Sequence, residues 1–238
     1  EFRRVLFRSV GKSILESVKA TRNVCEHNTN LGIILLLAPL TAVPTDVSLP
    51  EGIEAVLSGL TRDDAEHTYE AIRLAQPRGL GTADSADVTA SSPDGTLAEV
   101  MSQAADRDAV ARQYASNFKT VLHDAVAILN ASSRFKEDWE QAIIYLQLKL
   151  IARDGDTDIA RKCNSIDAHE SKRRAMSVLR AGWPMTMEGR SRIREFDFPP
   201  RRAPGASPVP ALTSRNACKV YMFGFPHSLV LIVFVCVQ

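Results

Sequence analysis

The sequence predicts an all-α fold, a single multi-helix domain, and three observations carry that prediction. Apolar residues recur at helical spacing in segment after segment between residues 10 and 194. Capping residues, prolines and glycines punctuate those segments where helices start and stop. No segment of this region alternates apolar and polar residues as a half-buried strand would. A packed set of helices is the natural result. With 238 residues, 45% of them hydrophobic, the chain can bury one sizeable core. No repeat of fixed period interrupts this plan. The chain divides as residues 1–9, a helical domain over 10–197, and an irregular segment with an apolar tail over 198–238.

The opening string, Glu1-Phe2-Arg3-Arg4-Val5-Leu6-Phe7-Arg8-Ser9, is basic and apolar. It lacks the longer apolar stretch and small-residue cleavage site of a signal peptide. It looks like translated sequencing-adapter read-through and is set aside as a scar. Val10, Ile14, Leu15, Val18, Thr21 and Cys25 then form the stripe of a first helix. Asn28-Thr29-Asn30 precede the uncharged run from Leu31 to Leu40. That run has about half the length of a membrane span, so it predicts a core helix over 30–40, with Asn or Thr as its N-cap. Pro44 and Pro50 mark a break, and a short helix over 50–58 can start on proline, where the lost N–H costs least. Thr61 with Asp64 is a capping-box variant, opening a helix with Ala65, Tyr69, Ile72 and Ala75 on one face. Pro77 and Gly79 stop it.

Residues 79–95 form a polar loop rich in Gly, Ser and Asp, and long loops are often functional or mobile. Thr96 and Glu99 make a cleaner capping box for a helix to about residue 105. The pattern next predicts one helix over 107–129, carrying Val110, Tyr114, Phe118, Val121, Leu122 and Ala125. Another covers 135–152, with Trp139, Ile143, Leu146 and Leu150. Asp154-Gly155-Asp156-Thr157 turns the chain into a short helix, and 166–181 is the last clear one, ending at Gly182. Prolines then crowd 199–210, where they remove donors and break helices. The run 228–237 is β-branched and too short to cross a bilayer as a helix; an unpaired apolar strand at a chain end invites aggregation. Residues 1–9 and 199–238 are expected to pack poorly, while 10–194 keeps a helical core.

Several function classes are excluded. A formal charge of +1 gives no support to bulk nucleic-acid or membrane binding. Cys25, Cys163, Cys218 and Cys236 are scattered without metal-ligand or disulfide-framework spacing, which suits a reducing, cytoplasmic setting. His27, His67, His123, His169 and His227 show no zinc spacing. No Ser/His or Cys/His arrangement has the local context of a nucleophile. Gly11-Lys12-Ser13 lacks the upstream glycine and strand of a phosphate-binding loop. Asp63-Asp64 is better explained as a helix cap than as a prenyl-diphosphate motif.

Four polar clusters interrupt the apolar faces. The first is Asn28, Asn30 and Gly32, where amides beside free N–H groups can face a phosphate. The second is Arg73 with Gly79-Leu80-Gly81, Asp84 and Asp87. The third is Asp106-Arg107-Asp108 with Arg112, Gln113 and Tyr114; Asp108 and Arg112 share a helix face. The fourth is Asp156-Thr157-Asp158 with Arg161 and Lys162. Taken singly, each reads as surface ion pairs of little energetic worth. Taken together, carboxylates, cations and amides are what a magnesium–polyphosphate site requires.

These clusters carry a family resemblance. Asn28-Thr29-Asn30-Leu31-Gly32-Ile33 with Leu37-Ala38-Pro39-Leu40 resembles the signature of the triphosphoribosyl-dephospho-coenzyme A synthase family. Ala71-Ile72-Arg73-Leu74-Ala75 with Gly79-Leu80-Gly81 does too, as does Ala104-Ala105-Asp106-Arg107-Asp108 with Ala111-Arg112-Gln113-Tyr114. Asp156-Thr157 with Ile159-Ala160-Arg161-Lys162-Cys163 continues the match in order, so the resemblance covers roughly 10–197. It implies an all-helical enzyme that joins the ribose triphosphate of ATP to the 2′-hydroxyl of 3′-dephospho-coenzyme A and releases adenine. The product is the prosthetic-group precursor of citrate lyase and malonate decarboxylase acyl carriers. Under that resemblance Asp106 or Asp108 would stabilise the ribosyl cation, and Asp156 would hold Mg2+. Arg73, Arg112, Arg161 and Lys162 would meet the triphosphate. Asn28, Asn30, Gly32, Gly79 and Gly81 would complete substrate binding. The chain departs from the family in lacking the Gly- and His-containing motifs ahead of this region and an Asn-Pro-Gly-Thr-type motif after residue 197. Impaired turnover of this chain is the resulting expectation. The rival reading is a non-catalytic helical nucleotide- or protein-binding module.

Overall fold

The computed structural model describes residues 9–25, 30–77, 87–88, 92–131, 138–157, 160 and 165–196. Asn28, Gly79, Gly81, Asp84, Asp158, Arg161, Lys162, the string 1–8 and the stretch 197–238 lie outside the described residues, so the expectations placed on them stay with the sequence. The fold is all-α, and no strand occurs among the described residues. Two compact helical units are present, one up to Ala131 and one containing the described residues from Asp138 onward. No helix among the described residues is long and apolar enough to cross a membrane.

In the first unit, α1 (Val10–Val24) buries Val10, Ile14, Leu15 and Val18 of the predicted stripe together with Gly11, while Thr21 and Cys25 are only partly buried and Cys25 lies at the C-cap. Its N-cap is Ser9, whose hydroxyl accepts from the Lys12 N–H at 3.1 Å. Ser9, set aside with the basic string on sequence grounds, is therefore part of the fold. Helix α2 (Leu31–Thr41) follows, then α3 (Leu49–Ser58), which begins one residue ahead of the expected start and carries Pro50 in its first turn. Helix α4 (Arg62–Ala75) has the complete Thr61–Asp64 capping box and ends on Gln76 in the left-handed region, just before Pro77. Helix α5 (Leu97–Ala104) has the complete Thr96–Glu99 box. Ile14, Leu36, Ile53, Leu97, Phe118 and Val121 are almost wholly buried. Each such side chain contributes about 1.5–3 kcal/mol of hydrophobic stabilisation.

One continuous helix over 107–129 does not form. Helix α6 (Ala109–Ala115) stops at Ser116, and Asn117 and Phe118 both take left-handed backbone, φ 50° and 57°. A π-helical turn (Thr120–Ala125) and α7 (Val126–Asn130) follow. The Ser116 hydroxyl donates back to the Arg112 carbonyl at 2.7 Å, competing with the helical ladder, and Asn tolerates the left-handed region. The break turns Phe118 fully into the core against Tyr114, ring centroids 5.6 Å apart.

The second unit contains α8 (Trp139–Asp154), α9 (Ser165–Arg180) and α10 (Met187–Glu195). Its core joins Leu148, Ile151, Ala175, Val178 and Trp183. Helix α10 was not individually legible, because it carries few apolar residues. Its signals are polar: Thr186 caps Gly189 N–H at 2.9 Å, Glu188 lies in the first turn, and Arg192 and Arg194 lie in the last. That distribution complements the helix dipole.

Candidate active site

Helix α4 is the frame of the site, and Asp64 anchors it. One carboxylate oxygen accepts from the Ser9 hydroxyl at 2.6 Å and the Gly11 N–H at 2.8 Å. The other accepts from the Thr61 N–H at 2.9 Å and the Thr61 hydroxyl at 2.7 Å. Burial pushes this carboxyl up, but the bonds from Ser9, Thr61 and Gly11 prevail and hold it below its ordinary value. Asp64 is thus a shared cap for α1 and α4, as the helix-cap reading of Asp63-Asp64 expects. Gly11 lets the two helices touch, because a Cβ there would lie 2.3 Å from the Asp64 carbonyl oxygen.

One turn beyond the cap region, α4 presents Tyr69, and one turn further Arg73. Tyr69 is 4% exposed, and its hydroxyl has no hydrogen-bond partner in the protein. Four charged groups from three other stretches and from α4 itself act on it. Burial raises its pKa, Asp94 and Asp87 raise it further, and Arg107 and Arg73 oppose them. The phenol therefore remains a proton donor at neutral pH. The Arg73 Nη1 donates to the Val88 carbonyl at 3.0 Å, tying α4 to the segment that carries Asp87. Asp94 precedes α5, and Arg107 lies on the α5–α6 turn. Arg73 and Asp87 of the second sequence cluster and Arg107 of the third thus act electrostatically on one buried phenol.

The other members of the third cluster have structural partners. Asp108 is the N-cap of α6, its Oδ1 accepting from the N–H groups of Val110 at 2.8 Å and Ala111 at 3.0 Å. Arg112 folds back onto the same turn, donating from Nε to the Ala105 carbonyl at 3.1 Å and from Nη2 to the Asp106 carbonyl at 3.2 Å. Carbonyls at the end of α5 and N–H groups at the start of α6 recruit these side chains because helix ends leave such groups unpaired. Asp106 is exposed on the turn.

Asn30 occupies the N-cap position of α2, but its side chain makes no cap bond. Its Nδ2 instead donates to the Thr21 hydroxyl at 3.1 Å, joining α2 to α1. Gly32 lies half-buried in the first turn of α2. Asp156 is buried in the second unit. Among the described residues, no group of three or more His, Cys, Asp or Glu side chains could hold a metal ion.

Sequence reasoning reads Tyr69 as a core residue, places Arg107 in the third cluster without a role of its own, and leaves Asp94 out. The available signal was the pairing of Tyr69 with Arg73 four residues on: a phenol on an apolar face needs a partner.

The family model described as CitG, ATP:dephospho-CoA triphosphoribosyl transferase, matches residues 2–202. A crystal structure of a candidate triphosphoribosyl-dephospho-CoA synthase from Archaeoglobus fulgidus superposes with a TM-score of 0.63 at 19% identity. The alignment covers 99% of this chain and 92% of that one; at such identity the likeness is one of fold. No curated protein matches the chain.

Proposed function

The chain belongs to the ATP:dephospho-CoA triphosphoribosyl transferase family, and on that premise we propose that it transfers the triphosphoribosyl group of ATP to 3′-dephospho-coenzyme A. The observation that carries the reading is the family match over residues 2–202; the buried Tyr69 hydroxyl without a partner, on which Arg73, Arg107, Asp87 and Asp94 act electrostatically, supports it. Guanidinium groups suit phosphate oxygens, and one or two carboxylates suit Mg2+, which takes its remaining ligands from phosphates and water. The donor set therefore fits a magnesium–triphosphate group, and the metal would supply charge neutralisation there.

In the reaction, a hydroxyl oxygen of the acceptor bonds to the ribose anomeric carbon. The bond from that carbon to adenine breaks, the electron pair leaves with adenine, and the hydroxyl proton balances the adenine anion. Positive charge builds on the ribose at the midpoint, as in other glycosyl transfers. A carboxylate beside that carbon stabilises the charge and can carry the proton. Of the two candidates, Asp106 suits this role better, because the Oδ1 of Asp108 is committed to two backbone N–H groups. Arg73 meets the triphosphate. Asn30 and Gly32 support the substrate from α2, and Arg112 shapes the turn that carries Asp106 and Arg107. The Mg2+ role of Asp156 and the phosphate roles of Arg161 and Lys162 rest on the family resemblance alone, not on the Tyr69 cluster.

Incubation of the chain with ATP, magnesium and 3′-dephospho-coenzyme A, followed by chromatography, tests this reading. Adenine and the triphosphoribosyl product are expected in equal amounts, at the impaired turnover that the departures from the family motifs imply, with Asp106→Asn lowering it at least tenfold further. ATP binding with no adenine release would replace the transferase by the non-catalytic nucleotide-binding module.

A further inference from the structure

A buried hydroxyl without a partner is costly to keep, because it gives up its bonds to water and gains none in return. Tyr69 is such a group, on a helix whose ends are otherwise well satisfied. A phenylalanine would fill the same space without that cost. The hydroxyl also lies within electrostatic reach of charged groups: Asp94 and Asp87 raise its pKa, and Arg107 and Arg73 oppose them. A neutral donor set between two cations and two carboxylates matches what a polyphosphate with its magnesium presents: anionic oxygens for the cations and the phenol, and a metal for the carboxylates.

We propose that the Tyr69 hydroxyl is a ligand-binding donor, giving its hydrogen bond to a phosphate oxygen of a magnesium-bound polyphosphate held beside Arg73 and Arg107. The assignment rests on the nucleotide-site reading of this cluster but not on the transfer reaction. The ligand class is a nucleoside triphosphate or its polyphosphate portion. Arg73 is already held toward Val88, which fixes one cation before ligand arrives. The phenol needs no charge of its own, so it adds a directional contact without adding to the repulsion between the two arginines.

The test is calorimetric titration of the full chain and of Tyr69→Phe with magnesium tripolyphosphate, and separately with magnesium ATP. Loss of one hydrogen bond to a charged oxygen should weaken both ligands by about 10- to 100-fold. The melting temperature without ligand should stay the same or rise, because an unpaired polar group has been removed. A merely structural tyrosine would give the opposite pattern, a lower melting temperature and unchanged affinity. Arg107→Gln, on the exposed turn, serves as a second arm and should also weaken tripolyphosphate. Equal affinity of Tyr69→Phe and the unaltered chain would overturn the assignment. So would failure of the unaltered chain to bind tripolyphosphate. Tripolyphosphate binding that depends on Tyr69, without adenine release, would support it while removing the transferase reading.

Discussion

The hydroxyl of Tyr114 donates to the Leu35 carbonyl at 2.6 Å, across 79 residues of chain. The reason lies four residues beyond Leu35. Pro39 sits inside α2 and has no N–H, so the Leu35 carbonyl loses the partner that a helix would give it. Tyr114, fully buried, replaces that donor, and burial raises its pKa so that it stays protonated. Tyr114→Phe should therefore destabilise the protein by about 1–3 kcal/mol in urea denaturation, the cost of an unpaired buried carbonyl. In a Pro39→Ala background, where residue 39 again has an N–H, the same substitution should cost clearly less; equal costs in both backgrounds would exclude the replacement. Asp64 gives a second prediction at this scale. Its folded pKa lies below its unfolded value, so its contribution is complete above the ordinary carboxylate range. That contribution is lost as pH falls through that range toward the folded value. Asp64→Ala should cost about 2–3 kcal/mol at pH 7, from lost charged hydrogen bonds and caps, and should flatten the acid side of a stability-against-pH curve.

Close helix approach depends on single glycines. A Cβ on Gly11 would collide with the Asp64 backbone, which cannot yield as a flexible side chain can. Gly11→Ala should therefore push α1 from α4 and cost at least about 1–3 kcal/mol, as overpacking does. By contrast, Gly59→Ala at the end of α3 meets nothing nearer than 3.4 Å at ordinary backbone angles, φ −86°. That substitution should stay within about 0.5 kcal/mol of the parent. Thermal melts of the two variants decide the matter, and comparable losses would refute the packing argument. The α6 break belongs to this scale too. Helical periodicity over 107–129 identified the right core residues, Val110, Tyr114, Phe118, Val121, Leu122 and Ala125, all buried. It could not show that the chain reverses handedness at Asn117 and Phe118, because periodicity is read along an assumed straight helix.

Each compact unit has its own buried core, so local opening should follow the unit. A Cβ on Gly189 would collide with the backbone of Trp183 at 2.4 Å, inside the second unit. In hydrogen exchange, Gly189→Ala should speed exchange of amides in α9 and α10, and Gly11→Ala those in α1 and α4. Uniform acceleration of the whole chain by either variant would show that the two units open together.

Helix content was legible in the sequence because helices are specified locally. The Thr61–Asp64 and Thr96–Glu99 boxes, Pro50 and the stripe from Val10 to Val18 act over three or four residues, and each has the structure its pattern predicts. The family motifs were legible for the same reason, being short strings in a fixed order. Contacts across long stretches of chain were not. Nothing local marks Ser9 and Gly11 as partners of Asp64, or Tyr114 as the donor that Pro39 lacks. Asp108 and Arg112 looked like ligand groups because spacing records which residues share a face, not which backbone groups nearby are unsatisfied. The sequence by itself determined most of the helices, the two capping boxes and the family. Tertiary structure alone decided that Arg107, Asp87 and Asp94 act on Tyr69 beside Arg73 of its own helix, because desolvating a phenol among charges requires distant segments to close around it.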